Sequence, residues 1–125
     1  ELELVRRLNG MRDSRPLDDL ELHAAAGALH SIYTGIERAL LVKLSRLGGS
    51  APSGSNWHQE LLAHPLIISI LENPLRERVR ELLGFRHFFR HAYGFMLDGE
   101  LLAPLLDDVD LLCRELHDRL MTARP

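Results

Sequence analysis

One stripe constrains the fold of this chain more than any other feature. Leu22, Ala26, Leu29, Tyr33, Ile36, Leu40, Leu44 and Leu47 recur at steps of three and four. That period gathers all eight on one face of an α-helix, whereas a half-buried strand would need strict alternation. A helix with such a face must bury it against other helices. Asp18 or Asp19 is placed to cap its start. Gly48, Gly49 and Ser50 end it, and APSGS at 51–55 reads as a loop. The run AAAGA at 24–28 is small-sided, so a second helix can approach closely there.

The remaining segments carry the same signal. Residues 1–13 read as a short helix that Gly10 frays, followed by a break at Ser14, Arg15 and Pro16. Ser55 or Asn56 can cap the segment NWHQELLAH, which Pro65 divides or restarts. After a boundary at Asn73 and Pro74, residues 75–93 form a helix with the stripe Leu75, Val79, Leu82, Arg86, Phe89 and Tyr93. Arg86 stands where that stripe asks for leucine. Gly94, Asp98 and Gly99 mark a turn. The last helix, about 100–121, presents Leu102, Leu105, Val109, Leu112, Leu116 and Leu120, with Pro104 in its first turn, where proline is tolerated. The sequence therefore predicts an all-α fold: an antiparallel bundle of four or five helices in a single domain over residues 1–125. No repeat or linker interrupts it.

Composition narrows the class. Hydrophobic residues make up 46% and charged ones 26% of the 125, which is globular and far from disorder. The longest apolar run, PLIISIL at 65–71, falls well short of the ~20 residues of a membrane helix. No signal-peptide pattern is visible. The first residue is Glu1 and not Met, so the native start reads as missing. The single cysteine, Cys113, excludes an internal disulfide and reads as a small buried hydrophobe, which fits a reducing cytoplasm. The net charge of −3 argues against nucleic-acid binding through bulk charge. The distribution is uneven, however. Residues 76–91 sum to +3, so the rest of the chain sums to −6. A solvated Arg/Glu helix face would also account for that run.

Within that basic region lies FRHFFRHAYGF, residues 85–95, with two Arg, two His, four Phe and a Tyr. Arg86, His91 and Tyr93 spell R-x4-H-x-Y. Chance supplies about one R-x4-H in a chain of this composition, but adding the tyrosine lowers the expectation to ~0.01. The histidines show no metal-ligand spacing with a nearby acidic third ligand, and no cofactor motif is present.

These residues resemble the HEPN superfamily, specifically the HepT-like ribonuclease toxins, whose hallmark is R-x4-H-x-Y. IYTGIERAL at 32–40, APSGSNWHQELL at 51–62 and GFRHFFRHAYGFMLD at 84–98 are similar, in order, to segments of one HepT-like subgroup. The resemblance implies a small helical bundle acting as a two-fold dimer with both motifs in one cleft. It implies Arg86 and His91 as the catalytic pair. It implies Tyr93 as the site where a partner nucleotidyltransferase of the MntA type, the antitoxin, attaches AMP and silences the toxin.

The chemistry suits the residues. RNA carries its own nucleophile, the 2′-hydroxyl, so its cleavage requires no metal in principle; the resemblance implies transfer RNA or messenger RNA as the substrate class. Histidine suits proton transfer near neutral pH, and arginine offers a permanent charge and a planar fork for phosphoryl oxygens. One histidine cannot easily serve as both acid and base in one step, so a second His91 from the other subunit would complete the pair. Five residues on a regular helix turn through ~140°, so Arg86 and His91 do not share a face. They converge through a bulge, a helix end near Gly94, or a two-fold partner. His87 and Arg90 flank the pair and can bind RNA phosphates. Glu37, one turn after Tyr33 on the long helix, can orient a cationic group; both are supporting candidates. Glu37 can equally form an ion pair with Arg38 or Arg90, or face solvent. The phenylalanines read mainly as packing, with base stacking the alternative. The competing function is a non-catalytic helical binding partner of a minimal nucleotidyltransferase.

Overall fold

The computed structural model describes residues 1–92 and 99–122, with side chains for 1–85 and 99–122. Its described elements are six helices: α1 (Leu2–Arg12), α2 (Asp19–Arg46), α3 (Trp57–Ala63), α4 (Pro65–Ile70), α5 (Leu75–Ala92) and α6 (Gly99–Thr122). The all-α bundle holds. The count exceeds four or five because Pro65 opens a helix of its own at the N1 position, with its one missing N–H costing nothing there. The His64 ring accepts from the Leu66 amide at 3.1 Å and caps that new start.

α2 forms where the stripe predicts, and its ends follow from local chemistry. The Asp18 carboxylate accepts from the Glu21 amide at 2.8 Å, and the Glu21 carboxylate accepts from the Asp18 amide at 2.9 Å. This reciprocal capping box satisfies two donors that the first turn would leave bare. At the other end Gly48 adopts φ +86°, a left-handed conformation that costs glycine little. The amides of Gly48 and Gly49 then return to the carbonyls of Ser45 and Leu44, at 3.1 and 2.9 Å. α3 starts at Asn56 as expected, but the Asn56 side chain makes no capping bond.

α2 is the axis of the core, with α1, α5 and α6 packed on it. Leu22, Ala26, Leu29, Tyr33, Ile36, Leu40 and Leu44 are all buried, and the small residues Ala25, Ala26 and Ala28 are buried as foreseen. Burying each large aliphatic side chain contributes about 1.5–3 kcal/mol. Three stripe positions, Leu47, Leu105 and Leu120, are only half-buried. α6 buries Leu106 and leaves Leu105 half-buried. α5 buries Phe85 in addition to Leu75, Val79 and Leu82, while the side chain of Arg86 lies outside the described residues. α6 also begins early enough to put Pro104 beyond its first turn, and α1 runs through Gly10 unbroken.

Charged straps fix the helix order. The Arg6 guanidinium donates to both Asp110 oxygens at 2.8 and 3.0 Å, the Asn9 amide to the Leu106 carbonyl at 3.0 Å, and Arg12 to Asp107 and the Ala103 carbonyl. Rising numbers on α1 meet falling numbers on α6, so the two are antiparallel. Among the described residues, no helix is long and apolar enough to cross a membrane. Cys113 is half-buried against the core rather than enclosed, and desolvation raises its thiol above its ordinary value.

Candidate functional site

α5 carries the motif. Its first half is anchored by apolar side chains on α2 and by an arginine clamp to α6. Arg78 donates to both oxygens of Asp108, at 2.9 and 2.7 Å, and to Glu115 at 2.6 Å. Those hydrogen bonds raise the Arg78 pKa and hold it charged. Arg80 pairs with Glu77 at 3.1 Å on the exposed surface. Two of the five arginines in the basic run therefore have structural partners. The net positive charge read for residues 76–91 is offset by acids that α6 brings from about thirty residues away in sequence.

The second half of α5 holds Arg86, His87, Arg90 and His91, all on continuous helix through Ala92. No bulge separates Arg86 from His91, so the ~140° between them persists. Of the three routes to convergence, the helix end and a two-fold partner remain. The side chains of Arg86, His87, Arg90 and His91, and Tyr93 entirely, lie outside the described residues.

The supporting candidates on α2 are both buried. Tyr33 is 1% exposed, deep in the core. Glu37 is 4% exposed and is the single buried charged side chain among the described residues. Among the described residues, its partner is one that was not weighed from sequence. The Glu37 carboxylate meets Nδ1 of His58, on α3. Trp57 covers that imidazole, its ring centroid 3.7 Å away at 32°. A carboxylate behind an imidazole fixes the orientation of the ring.

His58 is the residue the sequence reading missed as a partner; it was weighed only as a metal ligand. A signal was present. Leu61 and Leu62 are the buried positions of α3, and His58 lies three and four residues before them on the same face. Among the described residues, no three His, Cys, Asp or Glu side chains gather as a metal site.

A bundle centred on one long helix, with R-x4-H on the helix packed beside it, is the arrangement to compare with known proteins. A family model described as HepT-like protein matches residues 24–124. The chain belongs to the HepT-like family. The match covers α3, α4, α5 and α6, and all of α2 but its first turn, so it spans every motif position and both members of the Glu37–His58 pair. α1 lies outside it. Comparison with curated proteins and with solved structures finds no match. Within the HepT-like chain, the recognised region takes in the α2 core from Ala25 to Leu44.

Proposed function

We propose that this HepT-like protein is a metal-independent endoribonuclease toxin. The observation that carries the reading is the intact R-x4-H-x-Y at residues 86–93, spanned by the family match, with its Arg86 and His91 on the helix that α2, α3 and α6 support. His91 deprotonates the 2′-hydroxyl or protonates the leaving 5′-oxygen. Arg86 stabilises the charge that builds on the phosphoryl oxygens. The 2′-oxygen attacks phosphorus, the bond to the 5′-oxygen breaks, and the products are a 2′,3′-cyclic phosphate and a 5′-hydroxyl.

The continuous helix supports a two-fold dimer. One chain does not bring Arg86 and His91 to one face of α5, whereas two chains can supply one from each. Tyr93 follows His91 by two residues in sequence. A partner nucleotidyltransferase of the MntA type transfers AMP to its hydroxyl. The added phosphodiester anion competes for the cations the RNA phosphate needs.

Induced expression tests the reading. Native chain should arrest growth and deplete RNA, His91→Ala should do neither, and co-expression of the neighbouring nucleotidyltransferase should relieve the native chain but not Tyr93→Phe. Equal growth and intact RNA with both native chain and His91→Ala would favour the non-catalytic partner module instead.

A further inference from the structure

α3 and α5 enclose an open groove of about 430 Å3, lined by Gln59, Leu62 and Ala63 on one side and Arg80, Leu83 and Gly84 on the other. That volume is in the ~300–1,000 Å3 range of ligand clefts. Leu62 and Leu83 give it an apolar floor. Gln59 and Arg80 stand exposed on its rim. Gly84 is part of its wall, and a Cβ built there meets nothing within 4 Å. The groove is open at this point because the residue has no side chain.

The register of α5 ties this groove to the motif. Arg80 and Gly84 are followed by positions 87 and 91 at steps of three and four, a single stripe along the helix. His87 and His91 therefore occupy the register that continues the groove-lining face toward the C-terminal end of α5. Gly84 and His91 are separated by about 10 Å of helix rise.

We propose that the α3–α5 groove is a subsite for an unpaired nucleotide of the RNA substrate, next to the one being cleaved. This rests on the nuclease reading and adds its specificity determinant. The base lies on the Leu62–Leu83 floor, which accepts any flat ring. The Gln59 amide, with a donor and an acceptor, reads the base edge. Arg80 meets a phosphate. Its present partner Glu77 is half-exposed, and such surface pairs contribute little, so a phosphate can displace it.

The test uses the full chain and a fluorescein-labelled 2′-O-methyl oligonucleotide, single-stranded and uncleavable, followed by fluorescence anisotropy. Gly84→Leu fills the groove from a position where the fold has room. Gly10→Leu is the matched control: its Cβ also meets nothing within 4 Å, and it sits on α1. Gly84→Leu should weaken binding by about tenfold or more, the scale of losing one stacked base, with the thermal midpoint unchanged or raised. Gly10→Leu should bind as the native chain does. Gln59→Ala should narrow the differences among oligonucleotides that vary at one base.

Native-like binding by Gly84→Leu, equal weakening by Gly10→Leu, or no binding by the native chain would overturn the subsite. So would loss of nucleotidyltransferase co-purification in Gly84→Leu with RNA binding intact, which would make the groove a protein-docking surface. The nuclease reading is scored separately. Cleavage that depends on His91 but not on Gly84 sinks the subsite alone. Gly84-dependent binding without any cleavage sinks the nuclease alone.

Discussion

Glu37 shows how one residue can be placed by its sequence and still conceal its role. Its position one turn after Tyr33 marked it as a carboxylate that can orient a cationic group, with Arg38, Arg90 or solvent as the alternatives. The partner, His58, comes from beyond a loop, 21 residues later. Nothing local in the sequence encodes that pairing; the inward face of α3 does. Removing His58 leaves the buried Glu37 carboxylate without this hydrogen-bond partner, at a cost of about 1–3 kcal/mol. His58→Ala should therefore lower stability on that scale in urea unfolding, and Glu37→Leu combined with His58→Leu should recover most of it. A double variant as unstable as the single one would show that the pair contributes packing and not charge compensation.

At the scale of elements, starts and stops were readable because capping is local chemistry. Asp18, Glu21, Pro65 and Gly48 act within four residues of themselves. Arg15 adds to the α2 start, donating to both Glu21 oxygens at 2.7 and 2.8 Å. The Arg15 hydrogen bond, then the Asp18 backbone bond, lower the Glu21 carboxyl from 4.5 to about 2. A carboxyl lowered by folding stabilises the fold above its unfolded value and loses that contribution as pH falls through its folded value. This support is therefore complete above pH 4.5 and fades toward pH 2. An NMR titration should place the Glu21 midpoint near 2, and Arg15→Ala should raise it toward 4.5. A midpoint unmoved by the substitution would remove Arg15 as the cause. Asp18→Ala, losing the cap, should cost about 1 kcal/mol by thermal unfolding.

The clamp between α5 and α6 was not readable in the same way. Arg78 looked like part of a basic face, and only tertiary packing brings Asp108 and Glu115 to it. Those acids are more than a third exposed, so solvent screening reduces the strength of the clamp. Arg78→Met should cost about 1 kcal/mol in urea unfolding. The motif-bearing end of α5, which the clamp steadies, should gain amide exchange before the α2 core does. Uniform exchange changes across all helices would argue against a local role.

For the whole molecule, the helical class and the α2 core followed from periodicity, because a seven-turn apolar face leaves a chain few alternatives. The choice between Leu105 and Leu106 did not follow, since adjacent positions differ by only one step of helix rotation. The candidate site was legible as a motif and not as a shape. R-x4-H-x-Y named its residues, while the groove beside α5 depends on how α3 packs. The continuous α5 also turns an intramolecular question into one about assembly, and sedimentation of the purified chain should show a dimer. The most direct measurement is incubation of native chain and His91→Ala with end-labelled RNA in excess chelator, with product ends read by mass spectrometry. Cleavage to 2′,3′-cyclic phosphate and 5′-hydroxyl ends, reduced by about 10²–10⁴-fold in His91→Ala, is the predicted result. Intact RNA with the native chain, or equal cleavage by both, would contradict the account.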